Sequence, residues 1–190
     1  MLILQGQIEF IHIPKTGGFY IQDVIKQLEI PHSGEAFNHD NKLKLWNSQS
    51  YFTCIRDLDS WMMSYFFHRQ RNGFNWQTHR KLDKLCQSTE LTQFFKNLIK
   101  HENIVSEHYD YFLDWVDKEK PIKFLKTKNL SSELLQFLET SSIKIDKSKY
   151  LKIENHHQST STEKPHQDLI LELKQKNLQF YQKYGSYLQN

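Results

Sequence analysis

The segment Phe10-Ile11-His12-Ile13-Pro14-Lys15-Thr16-Gly17-Gly18 constrains this chain most: an apolar run stops at a proline, turns through Lys-Thr-Gly-Gly, and leads into Ile21, Val24, Ile25 and Leu28. The first part has the composition of a buried strand, and the i, i+3, i+4, i+7 spacing of the second predicts an amphipathic helix ending near Pro31. The turn between them can meet an anion. Two adjacent glycines let the main chain approach closely, and the first N–H groups of a helix have no acceptor within it. Lys15 adds an ammonium and Thr16 a hydroxyl, so amides, a cation and a hydroxyl are offered to one tetrahedral group. The lysine precedes the glycines, the reverse of the Walker order G-x-x-x-x-G-K-[ST], which makes ATP-type P-loop chemistry the weaker reading. Taken alone, such a turn is more often a helix entry with a solvated lysine.

A second junction has the same plan. Tyr51-Phe52-Thr53-Cys54-Ile55 reads as a buried strand and runs through Arg56-Asp57 into a helix with Leu58, Trp61, Met62, Tyr65 and Phe66 at spacings of three and four. Asp57 stands where an N-cap belongs, and Ser64, seven residues on, falls near the same angular face two turns later. Arg56 and Ser64 can then grip one phosphate from two sides, although singly they read as an ion pair beside a cap and an ordinary helical serine. Further along, Leu91, Phe94, Phe95 and Leu98 predict one helix and Tyr109 to Val116 another. Pro121 opens a strand over 122–125, followed by a helix through Leu134, Leu135 and Leu138 capped by Ser131 or Ser132. A last helix carries Leu169, Leu173, Phe180 and Tyr184, while residues 32–50 are polar and irregular with a hint of a short helix at Leu43, Leu45 and Trp46. Strand alternating with helix predicts an α/β fold, a central parallel sheet covered on both faces, in a single domain over 1–190.

Composition narrows the function classes. With 25 basic and 22 acidic residues the formal charge is +3, which calls for neither nucleic acid nor a membrane surface. Cys54 and Cys86 make no disulfide framework and have no metal-ligand spacing around them, so both are expected as free thiols with no metal bound. No basic leader precedes the short apolar start and no run is long enough to span a bilayer, so a cytoplasmic protein without a membrane anchor is expected. Arg69, Arg71, Arg80, Lys81 and Lys84 read as a solvated face, or as a holder for an anionic glycan. Trp76, beside Gly73 in a polar stretch, is the best sugar-stacking candidate among four tryptophans.

The two motifs together, His12-Ile-Pro-Lys-Thr-Gly-Gly18 and Arg56-Asp-(x)6-Ser64-Tyr65, resemble the sulfotransferases that use 3'-phosphoadenosine 5'-phosphosulfate (PAPS), in particular the carbohydrate branch related to heparan sulfate 2-O- and chondroitin sulfotransferases. The resemblance implies a P-loop-like three-layer α/β/α fold. It implies that Lys15, Thr16, Gly17, Gly18 and the adjoining Phe19 hold the 5'-phosphosulfate, and that Arg56 and Ser64 hold the 3'-phosphate. The family commonly reads R-D-P-x-x-R-x-x-S-x-Y; this chain has Leu58 for the proline and Trp61 for the second arginine, which touches the acceptor class more than the cofactor. Asn155 and Ser159 fall where family members carry a loop that closes over the nucleotide. Animal relatives in this branch are usually membrane-anchored Golgi enzymes, whereas a compact soluble form is expected here.

Sulfuryl transfer needs an acceptor hydroxyl in line with the leaving phosphate, a cation at the leaving oxygen and a base. Lys15 is the expected cation. In the heparan sulfate 2-O branch the base is a histidine between the two cofactor motifs, which implies His39 or His32, with Glu35 between them and His68 as a further candidate. The chain is thus expected to move a sulfuryl group from PAPS to a hydroxyl, most simply of a carbohydrate, leaving adenosine 3',5'-bisphosphate. The alternatives are a kinase-like enzyme using ATP and Mg²⁺, for which Asp57 is the one available acidic ligand, and a PAPS- or glycan-binding protein without turnover.

Overall fold

A computed structural model describes residues 2–5, 7–34, 48–71, 81–154 and 164–189. The chain divides into two compact units whose segments alternate along the sequence: residues 1–56 with 115–158, and residues 57–114 with 159–190.

The first unit is a five-stranded sheet with helices. Its strands are β1 (Leu2–Leu4), β2 (Ile8–Ile11), β3 (His32–Gly34), β4 (Ser50–Ile55) and β5 (Ile122–Lys126), in the spatial order β3-β1-β2-β4-β5. β2, β4 and β5 are parallel neighbours, and β1 runs antiparallel to both β2 and β3. The sheet is thus mostly parallel rather than wholly so. The exception is the return of β1 on β2: the Gln7 N–H donates to the Leu4 carbonyl at 3.0 Å and Leu4 pairs with Ile8. A glycine in a three-residue link between apolar runs is a hairpin signal. β3 lies inside the stretch expected to be irregular, and its three residues are exposed, so no alternation of polarity marks it.

One face of the sheet presents Leu2, Leu4, Phe10, Phe52, Cys54 and Leu125 to α1 (Gly18–Gln27) and, after a 3-10 turn at Thr127–Asn129, to α6 (Leu130–Thr140) and α7 (Lys147–Tyr150). Ile21, Val24 and Ile25 of α1 and Leu134, Phe137 and Leu138 of α6 complete this core, all buried. On the other face Ile3, Ile11, Thr53 and Ile55 are buried as well, which is why β4 reads as an unbroken apolar run instead of an alternating one. α1 stops in a Schellman arrangement: the Ile30 N–H donates to the Ile25 carbonyl and the Glu29 N–H to that of Lys26, with Glu29 left-handed at φ 54° just before Pro31. The expected serine cap of α6 is corrected. Asn129 occupies the N-cap, Ser132 Oγ donates back to its carbonyl at 2.9 Å, and Ser131 accepts from the Tyr20 hydroxyl at 3.0 Å instead.

The second unit is helical: α2 (Leu58–Arg71), α3 (Lys81–Leu85), α4 (Leu91–Ile99), α5 (Ile104–Leu113), α8 (Gln167–Lys176), α9 (Leu178–Tyr184) and α10 (Ser186–Gln189). Its core is aromatic, with Trp61, Tyr65, Phe66, Phe94, Tyr109, Phe112 and Phe180 nearly inaccessible and Trp61 wedged against Tyr65, His108 and Tyr109 at ring distances of 5.6, 5.1 and 5.2 Å. The expected single terminal helix is broken at Asn177. The Asn177 side chain is fully buried, accepts the Val105 N–H at 3.0 Å to cap α5, and donates to the Leu173 carbonyl at 2.9 Å. Arg69 corrects the solvated-face reading: it is buried in an ion pair with Asp83, and both meet the Tyr65 hydroxyl. Cys86 and Cys54 are both buried free thiols. Among the described residues no helix is long and apolar enough to cross a membrane.

Candidate anion-binding site

The candidate site lies in the first unit, where β2 delivers the Lys15 turn, β4 delivers Arg56 and β5 delivers Thr127. In parallel sheets ligands bind outside the carboxyl ends of the strands, and all three residues sit at such ends. Lys15 has φ 68° and Gly17 φ 103°, so the turn passes twice through the left-handed region before α1 begins with Gly17 at its N-cap. Glycine tolerates this at position 17, where a Cβ would also run into the Leu130 side chain. Gly18 is needed for a different reason. A Cβ there would fall inside the buried His12 ring, so the absence of a side chain sets how closely the start of α1 approaches the strand exit. His12 itself stacks on Phe10 at 5.9 Å between ring centroids, which places it beneath the turn as packing.

The carbonyls of the turn are held by neighbouring elements. Arg56 Nη1 donates to the Lys15 carbonyl at 3.2 Å, and the Thr127 hydroxyl lies 2.9 Å from the Thr16 carbonyl and 3.0 Å from that of Ile55. The Thr16 hydroxyl points inward, donating to the Ile13 carbonyl at 2.7 Å, and the residue is fully buried. Its side chain thus shapes the turn, and the part of the turn that can meet an anion is the backbone at the head of α1 together with Lys15. N-cap Gly17 supplies no side-chain cap and no acidic residue occupies the first turn of α1, so nothing of the helix's own offsets the positive end of its dipole. Phe19, in that first turn, is 46% exposed.

The other candidates are placed as follows. Ser64 lies on α2 in the second unit and is buried; Asp57 heads that helix, its carbonyl accepting the Trp61 N–H at 2.8 Å. His32 opens β3 and pairs with Leu4, which pairs with Ile8, so it is level with the start of β2 while the Lys15 turn follows the end of that strand. The His32 ring, through Nδ1, lies 2.8 Å from the Ile30 carbonyl. The structure does not bring His32 to the turn. His39, Glu35, Asn155, Ser159, Trp46, Trp76 and Arg80 lie outside the described residues. His68 is half-buried on α2. Thr127 is the residue that sequence reasoning missed; its signal, a polar β-branched residue just after a strand, is too common to stand out. Among the described residues no group of three or more His, Cys, Asp or Glu side chains is arranged to hold a metal.

No protein-family model, curated protein or solved structure gives a significant match to this chain.

Proposed function

We propose that the chain is a PAPS-dependent sulfotransferase of P-loop-like, three-layer α/β/α type acting on a hydroxyl, most simply that of a carbohydrate. The observation that carries the reading is Lys15. A lysine in the left-handed region, where a non-glycine residue costs roughly 1–2 kcal/mol, stands at the head of an uncapped helix with Arg56 braced against its carbonyl. A cation beside the positive end of a helix dipole suits a turn that binds an anion. In the reaction, the bond between sulfur and the 5'-phosphate oxygen breaks as one forms from the acceptor oxygen, and a base takes the acceptor proton. Lys15 and the α1 amides offset the charge left on the phosphate. The cofactor contacts in this reading are Lys15, Thr16 through its backbone, Gly17, Gly18, Phe19 and Arg56; the resemblance alone adds Ser64, Asn155 and Ser159, and His39 as the base. The products are a sulfate ester and adenosine 3',5'-bisphosphate, with no metal required.

The second reading, a binding protein without turnover, is favoured by Trp61, which stands where the resembling family carries an arginine and is fully buried among aromatic rings. Calorimetric titration with adenosine 3',5'-bisphosphate and with ATP plus Mg²⁺, followed by transfer from labelled PAPS to a glycan panel, separates the readings. Bisphosphate binding with transfer supports the enzyme, and binding without transfer to any acceptor supports the binding protein. Binding of ATP plus Mg²⁺ alone indicates a kinase-like enzyme.

A further inference from the structure

We infer that Thr127 is a positioning residue that orients the Thr16–Gly17 peptide of the anion-binding turn; the inference rests on the anion-site reading above. In a trans peptide the carbonyl and the following N–H point in opposite directions. Holding the Thr16 carbonyl at 2.9 Å from the Thr127 hydroxyl therefore aims the Gly17 N–H away from β5. The same hydroxyl lies 3.0 Å from the Ile55 carbonyl, one residue before Arg56, so a single proton is shared between the two strand ends that deliver the turn and the arginine. The neighbouring peptide is fixed in the same manner by Arg56 on the Lys15 carbonyl. The next carbonyl, that of Gly17, accepts the Ile21 N–H at 3.3 Å within α1. Three successive carbonyls are thus each held by a different element, and Thr127 holds the middle one. Thr127 itself is held in place by its position between β5, whose last N–H, that of Lys126, donates to Glu133 at 2.7 Å, and the head of α6.

Thr127→Val keeps the shape and removes the proton donor; Thr127→Ser keeps the donor. Hydrogen exchange on the ligand-free protein and calorimetry with adenosine 3',5'-bisphosphate are read on wild type and both variants. In Thr127→Val the amides of Thr16 and Ile21, which donate to the Ile13 and Gly17 carbonyls on either side of the held peptide, are expected to exchange several-fold faster while those of β2 and β4 keep their protection. Bisphosphate affinity is expected to fall on the order of threefold to tenfold, the loss of one net hydrogen bond, and Thr127→Ser to restore both. The inference is overturned if the valine variant matches wild type in exchange and affinity, if serine fails to restore them, or if protection is lost evenly through the sheet. A wild-type protein that binds no bisphosphate sinks the sulfotransferase reading instead, and the exchange arm still decides whether Thr127 orients the turn.

Discussion

At Lys15 the demands of stability and of the proposed chemistry pull apart. Glycine relieves the left-handed backbone but loosens the unfolded chain, and the two effects nearly offset one another. Lys15→Gly should therefore leave stability unchanged or raised by up to about 1 kcal/mol in denaturant titration. Transfer from PAPS should fall by about 10²–10³, the usual loss when one charge-stabilising group is removed. A variant that is both destabilised and fully active would refute the assignment. Gly18 and His12 give a second residue-scale test. Gly18→Ala forces a methyl into the His12 ring and should cost about 1–3 kcal/mol, whereas in the His12→Ala background the same change should cost far less. A double-mutant cycle with no coupling would show that the close approach is not what requires glycine.

Among the elements, α2 and α3 of the second unit are tied by charge. Arg69 and Asp83 are both buried, and the Tyr65 hydroxyl donates to Asp83 at 2.7 Å. Burial, with the Asp83 charge beside it, pushes the Tyr65 phenol well above its ordinary range, so the hydroxyl stays protonated and remains a donor. Asp83→Asn removes the carboxylate charge beside a buried guanidinium and should destabilise the protein by roughly 3–5 kcal/mol, measured by urea unfolding. Arg69 looked like one member of a basic surface cluster because its partner lies fourteen positions away on a different helix, and no local spacing announces such a pair. The split between α8 and α9 was hidden for a related reason. Leu173, Phe180 and Tyr184 keep helical spacing across Asn177, and the Val105 amide and Leu173 carbonyl explain why that side chain turns inward.

Across the whole molecule, pH and thiol chemistry report on burial. Glu9 on β2 is 1% exposed; Ser48 Oγ donates to its Oε2 at 2.9 Å, while its Oε1 has no hydrogen-bond partner among the described residues. Burial raises its carboxyl above the ordinary range, outweighing the Ser48 hydrogen bond. The fold therefore favours the protonated form. Its contribution to stability is full below the unfolded-state value and is lost as pH rises through the folded one. Glu9→Gln should flatten this dependence and make the protein more stable than wild type near about pH 8, with little difference near about pH 4; denaturation midpoints at the two pH values check it. Cys86 is pushed up to about 12 by burial and the nearby Asp83 charge, and Cys54, wholly inside the sheet, is raised further. Neither thiol should react with a colorimetric disulfide reagent until denaturant unfolds the chain.

The two strand-turn-helix junctions, the core stripe of α1 and the mostly parallel pairing of β2, β4 and β5 were legible from the sequence alone, because apolar periodicity and the Pro-Lys-Thr-Gly-Gly order are local signals. Long-range pairing decided the rest. The exposed strand β3 forms only because β1 presents an edge to it. Its register carries His32 level with the start of β2, so a histidine lying between the two motifs in sequence is not brought to the turn. Thr16, chosen for its hydroxyl, directs it into the Ile13 carbonyl, while Thr127, in the turn after β5 and more than a hundred residues along the chain, holds the Thr16 carbonyl. Which polar atoms face a ligand and which face the protein depends on partners brought in by the sheet, and a chain read residue by residue does not contain them.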